Sequence, residues 1–78
     1  MKDLIDYIAR SLVDDPTQVE IRERKRGGTT LFELTVAKED MGRVIGKNGR
    51  VAMAMRALLR VAAAREGVNA SLDIVDPV

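Results

Sequence analysis

Three short runs of this chain alternate apolar and polar residues, and two helix-like stretches separate the second run from the third. That spacing constrains the fold more than any other feature. The runs at 18–25 and 30–37 flank Gly27-Gly28, a turn signal, so they are expected to form an antiparallel hairpin. In the first, Val19 and Ile21 point one way, while Gln18, Glu20, Arg22 and Arg24 point the other. That is a half-buried strand with a charged outer face. In the second, Phe32, Leu34 and Val36 share one face. The third run, 70–75, sets Leu72 and Ile74 opposite Ser71 and Asp73. A strand-to-strand connection that passes through two helices favours a right-handed crossover to a parallel neighbour.

The helical stretches follow the 3.6-residue period. Leu4, Ile5, Ile8 and Leu12 make one stripe over residues 3–13, which Asp14-Asp15-Pro16 ends, because the residue before proline is pushed out of the α region. Met41 to Ile45 can hold about one turn, with Asp40 as its expected N-cap. A longer helix is expected from Arg50 to Glu66, with Val51, Ala54, Met55, Leu58 and Ala62 as its buried stripe and Gly67 as its stop. The predicted fold is one α+β domain over residues 1–78. Its order is α-β-β-α-α-β, with a three-stranded mixed sheet and helices packed on one face.

Composition narrows the chemistry. With 78 residues, no Cys and no His, disulfide staples, thiolate or imidazole metal sites and His-based proton transfer are absent. No convergent pair of acids sits in a glycine-rich pocket, so an enzyme is not expected, nor any cofactor or metal. The longest apolar run is Val51 to Met55, too short to span a bilayer. The opening residues carry acids where a secretory signal would be basic and then apolar. A cytoplasmic location without membrane attachment is the expectation.

Net charge is only +1, but it is unevenly distributed. Residues 1–40 carry seven bases and nine acids, and residues 66–78 carry three acids and no base. Residues 41–65 carry Arg43, Lys47, Arg50, Arg56, Arg60 and Arg65 with no acid. A window of one sign inside a near-neutral chain suggests a surface that faces anions. The plain alternative is a solvated helix face balanced by acids elsewhere.

Within that window lies Arg43-Val44-Ile45-Gly46-Lys47-Asn48-Gly49-Arg50. Two glycines three apart separate a short helix from a long one, and glycine lets the backbone turn sharply and a bulky anion come close. The start of the second helix offers N–H groups and partial positive charge to a phosphate. Lys47 and Asn48 add a charge and an amide, and Val44 and Ile45 add apolar surface where a base could lie. A P-loop fits worse: Gly42 and Gly46 enclose three residues rather than four, and Asn48 stands where a hydroxyl would hold magnesium. The spacing of a dinucleotide fingerprint is absent.

Val44-Ile45-Gly46-Lys47-Asn48-Gly49-Arg50 resembles the signature loop of KH domains, which clamps about four nucleotides of single-stranded RNA. The element order resembles the type II, bacterial, version of that fold over nearly the whole chain. Among such domains the chain is similar to the small bacterial KhpA (YlqC) family. The resemblance implies RNA binding and a chaperone or post-transcriptional role. It also implies a partner KH protein of the KhpB (Jag, EloR) kind and a link to cell-wall homeostasis and cell-length control. Carried onto this sequence, the RNA-binding residues are Gly46, Lys47, Asn48 and Gly49, flanked by Arg43, Ile45 and Arg50. Arg56 and Arg60 extend the basic surface. The family's usual aliphatic residue three places after the second glycine is replaced by Ala52, which bears on base selectivity.

With Tyr7 and Phe32 as the only aromatics, a stacking platform of the RRM or OB type is not supported. Phe32 is expected in the core and Tyr7 half-exposed. Met53 is an apolar residue on the arginine face of the long helix. It is either a lone exposed methionine or a contact to a second KH subunit, in a homodimer or with a KhpB-like partner. Arg22, Arg24, Lys25 and Arg26 either guard a strand edge or add phosphate contacts. A protein-interaction module built on the same fold is the competing reading to RNA binding.

Overall fold

The computed structural model describes residues 1–77. Helix α1 spans Lys2–Leu12. Strands β1 (Glu20–Arg26) and β2 (Thr29–Thr35) form the hairpin. Helices α2 (Met41–Ile45) and α3 (Arg50–Arg65) follow, and β3 (Asn69–Ile74) completes the sheet. Short 3-10 turns at Pro16–Gln18, Lys38–Asp40 and Lys47–Gly49 link the elements.

The sheet runs in the order β1-β2-β3. β1 is antiparallel to β2, with Glu23 opposite Phe32, and β3 is parallel to β2, with Leu72 beside Phe32. The expected mixed sheet and crossover are therefore present. Strand β2 alternates without a break: Thr30, Phe32 and Leu34 are buried, while Thr29, Leu31, Glu33 and Thr35 face the other way and are only partly covered. One sheet face thus carries the helices. Phe32, Leu34, Leu72, Ile5, Ala9, Val44, Met55 and Leu59 make one core, and each large side chain in it contributes about 1.5–3 kcal/mol by leaving water.

α1 forms as its pattern dictates. Ile5 and Ala9 are buried, Asp3 lies in the first turn, and Arg10 bonds Asp6 one turn back at 2.9 Å. The helix stops at Leu12, where Val13 turns extended.

Two expectations need correction. The buried stripe of α3 is Ala52, Met55, Leu59 and Ala63: of the expected stripe Met55 is buried and Val51 and Ala62 are half-buried, but Leu58 is 50 % exposed, and Ala54 is also exposed. Both stripes have helical spacing, and an Ala-rich helix with apolar residues nearly all round does not distinguish them. The sheet does, by taking the face that fits closest. Asp40 occupies the N-cap position of α2 but makes no capping bond there. Its buried carboxylate instead reaches the α1–β1 connection, accepting the N–H groups of Asp14 and Asp15 at 3.1 Å each.

Candidate nucleic-acid interface

The site is built around the joint between α2 and α3. Val44 is fully buried and anchors α2, while the next residue, Ile45, is 37 % exposed beside the loop. Gly46 ends α2 at φ 76°, ψ 171°, a region essentially restricted to glycine. Its N–H closes α2 onto the Gly42 carbonyl at 2.9 Å. Asn48 and Gly49 then both take left-handed conformations, at φ 57° and 75°. Asparagine tolerates that region better than most residues. The result is a tight bend whose tip exposes Lys47 and Asn48.

The two glycines have different reasons. A Cβ on Gly46 would lie 2.4 Å from Val51 Cγ2 and 2.8 Å from the Val51 backbone nitrogen, so this glycine lets α3 pack back onto the end of α2. A Cβ on Gly49 would meet nothing within 4 Å. Only Gly49 keeps open space in front of the backbone. Two amides that the sequence would offer to an anion are also already used. Gly49 N–H bonds the Gly46 carbonyl at 3.1 Å, and Arg50 N–H bonds the Lys47 carbonyl.

Beyond the loop, α3 runs beside the edge strand β3. A groove of about 360 Å³ lies between them, lined by Arg56, Leu59, Arg60 and residues 70–73. The half-buried Arg56 donates from Nε to the Leu72 carbonyl at 3.0 Å. Val75 N–H bonds Leu34 of β2, so by strand alternation the Leu72 groups face the free edge of the sheet. Arg56 thus caps that edge from the helix and fixes the groove width.

The structure therefore groups Gly46, Lys47, Asn48, Gly49, Ile45 and Arg50 at one bend, with Arg56 and Arg60 on the groove leading from it. Among the described residues, no carboxylate lies within the 4 Å of an ion pair to Lys47, Arg50, Arg56 or Arg60. Arg43 is different. Its guanidinium is committed to Asp14 at 2.9 Å and to buried Asp40 at 3.3 Å, so it ties α2 to the α1–β1 connection. The sequence window of unopposed charge hid this pairing, because both acids come from outside it. Ala52, marked as a departure, is 5 % exposed and lies on the buried stripe of α3. Met53 is 56 % exposed, as are Leu58 and Val61 at 50 % and 55 %. Tyr7 is more open than expected, at 73 %.

The sequence reading missed the β3 side of the groove. Its signal was present: Arg56 and Arg60 are one helical turn apart, and a strand with a free edge follows the same helix.

A family model described as "KhpA/KhpB, KH domain" matches residues 2–74. The chain is 47 % identical over 76 residues to "RNA-binding protein KhpA" of Chlamydia caviae, covering 97 % of each chain. It is 44 % identical over 75 residues to the protein of that name from Clostridium acetobutylicum, covering 96 % of this chain and 100 % of the relative. The Treponema pallidum protein of that name is also 44 % identical over 75 residues, with 96 % and 94 % covered. No solved structure gives a significant match. With the α-β-β-α-α-β order and the Gly46–Gly49 bend in place, this chain belongs to the KhpA/KhpB family of KH domains.

Proposed function

We propose that this protein binds single-stranded RNA, with the sugar-phosphate backbone held at Lys47, Asn48 and Gly49 and the bases lying along the groove between α3 and β3. The observation that carries this reading is the joint occurrence of an exposed Lys-Asn tip, open space before Gly49, and a groove bordered by two arginines without ion-pair partners. The names of the KhpA relatives support the same polymer. Gly46 supports the clamp from behind. Ile45 floors its entrance, and Arg50 and Arg60 add positive potential. Arg43 contributes through its hold on α2. Four to six phosphate contacts imply a log–log salt slope of about −3 to −4 and an affinity of about micromolar for one domain.

The test is the double variant Lys47→Asp with Asn48→Asp. Both side chains are exposed, and aspartate also visits the left-handed region, so the fold is kept. Fluorescence anisotropy with a labelled single-stranded RNA is expected to lose binding at least tenfold, which is about 1.4 kcal/mol. Unchanged binding contradicts the reading.

A specific observation favours a second role. The outward face of α3 presents Met53, Leu58 and Val61, with Ala54 and Ala57 exposed between them. This patch suits a second KH domain, in a homodimer or with a KhpB-like partner, and pairing would raise RNA avidity. Sedimentation of Val61→Asp and Met53→Asp variants tests it: a mass equal to wild type removes this surface from the assembly. RNA-chaperone or post-transcriptional activity in the cytoplasm, with effects on cell-wall homeostasis and cell length, is the cellular role we attach to this reading. That attachment follows from the family resemblance.

A further inference from the structure

The basic cluster on β1 has a setting of its own. Arg24 and Arg26 face the uncovered side of the sheet, opposite Leu31 and Thr29 in the β1–β2 register. Together with Ser71 these residues line a cavity of about 380 Å³ at the end of the hairpin, and no acidic residue lines it. Lys25 touches its rim but sits opposite buried Thr30, and its side chain belongs to the helix-bearing face, beside Asp3, Glu23 and Glu66. Arg24 is paired with Glu33 at 3.2 Å. Among the described residues, no carboxylate comes within ion-pair distance of Arg26. β1 is an edge strand, and charge on an edge discourages strand pairing. That role accounts for bases on the strand. It does not account for an acid-free hollow lined by two hydroxyl residues and one leucine.

The position of the hollow supplies the second argument. Ser71 lines both this cavity and the groove between α3 and β3, so the two are separated by the width of one edge strand. The hairpin end also lies at the far end of α3 from the glycine bend: Asn69, just past α3, donates its N–H to Gly28 at 3.4 Å. A helix of 16 residues places the two about 24 Å apart. A KH clamp holds about four nucleotides, so a longer strand leaving the groove meets Ser71 and then the hairpin.

We infer that the hairpin end is a second phosphate-binding site, which takes the RNA strand beyond the four clamped nucleotides as it passes over β3 at Ser71. Arg26 and, beside it, Arg24 contact phosphates, Thr29 and Ser71 offer hydroxyls, and Leu31 gives an apolar floor for one base. This inference rests on the RNA reading above and adds to it a longer footprint.

The experiment compares a four-nucleotide and a ten-nucleotide single-stranded RNA of the same repeat, with wild type and with the Arg24→Ala/Arg26→Ala variant. Both substituted side chains are exposed near the end of β1, and circular dichroism checks the fold. Wild type is expected to bind the longer RNA more tightly. The variant is expected to lose about tenfold for the longer RNA, with a salt slope shallower by about 1.4, and to bind the shorter one as wild type does. Equal wild-type affinity for the two lengths, or a variant loss equal at both, overturns the inference. The Lys47→Asp/Asn48→Asp variant separates the two ideas. If it keeps wild-type binding of both lengths while the hairpin variant loses only the longer RNA, the loop reading falls and the hairpin site stands.

Discussion

The two ends of the short helix α2 are opposites. At its N-terminal end, Asp40 is 2 % exposed and its carboxylate accepts two amides and pairs with Arg43. At its C-terminal end, Lys47 and Asn48 are exposed and the space before Gly49 is open. One end is a closed polar network that fixes five residues of helix against the α1–β1 connection. The other is a bend with donors left for a ligand. A buried charge is tolerated only when it is fully partnered, and here that network sits directly behind the part that must stay accessible. The difference shows how a domain too small for a large core keeps a functional loop in place.

Substitutions at the two ends test this contrast, taken in order of their effect on stability. Gly46→Ala drives a Cβ into Val51 and abandons a backbone region that alanine avoids. Its expected cost is above about 3 kcal/mol, read as a collapsed urea midpoint together with lost RNA binding. Asp40→Ala strips the acceptor from the Asp14 and Asp15 amides, at an expected cost of about 1–3 kcal/mol. For a domain of this size each kcal/mol lowers the melting temperature by about 4–8 °C. RNA affinity, measured below the transition, is expected to stay within about threefold of wild type, well under the tenfold that corresponds to 1.4 kcal/mol. Gly49→Ala meets no atom and is charged only for its left-handed backbone, about 1–2 kcal/mol, yet it narrows the open side of the bend and weakens RNA binding. If Asp40→Ala removes RNA affinity while Gly49→Ala leaves it intact, the contrast fails.

The smallest effect concerns Asp15, beside the Asp40 network. The Thr17 hydroxyl and then the Gln18 amide donate to its carboxylate and hold its pKa below the ordinary 3.8. A lowered folded pKa means that the ionised group favours the folded chain at pH values above the unfolded pKa. The contribution disappears as pH falls through the folded one. Carbon-detected NMR titration is expected to place Asp15 below 3.8, and Thr17→Ala with Gln18→Ala is expected to return it towards 3.8.

Much of this was legible in the sequence because alternation and glycine carry local information. The hairpin about Gly27-Gly28, the parallel return of β3 and the one-turn α2 all follow from such signals. The choice between Leu58 and Leu59 did not, since only the sheet decides which face of an apolar helix is buried. The roles of Asp40 and Arg43 were equally hidden: their partners at 14 and 15 are about 25 residues away along the chain, and short-range pattern contains no such contact. The glycines of the bend looked alike in sequence. Only the position of Val51 distinguishes the one that packs from the one that opens.

The most direct measurement of the central claim is a two-dimensional amide NMR titration of the full chain with a short single-stranded RNA. The account predicts that the largest shifts fall on Lys47, Asn48, Gly49 and Arg50, with a second set along the groove at Arg56, Ser71 and Leu72. Saturable shifts that leave residues 46–50 unmoved would contradict it.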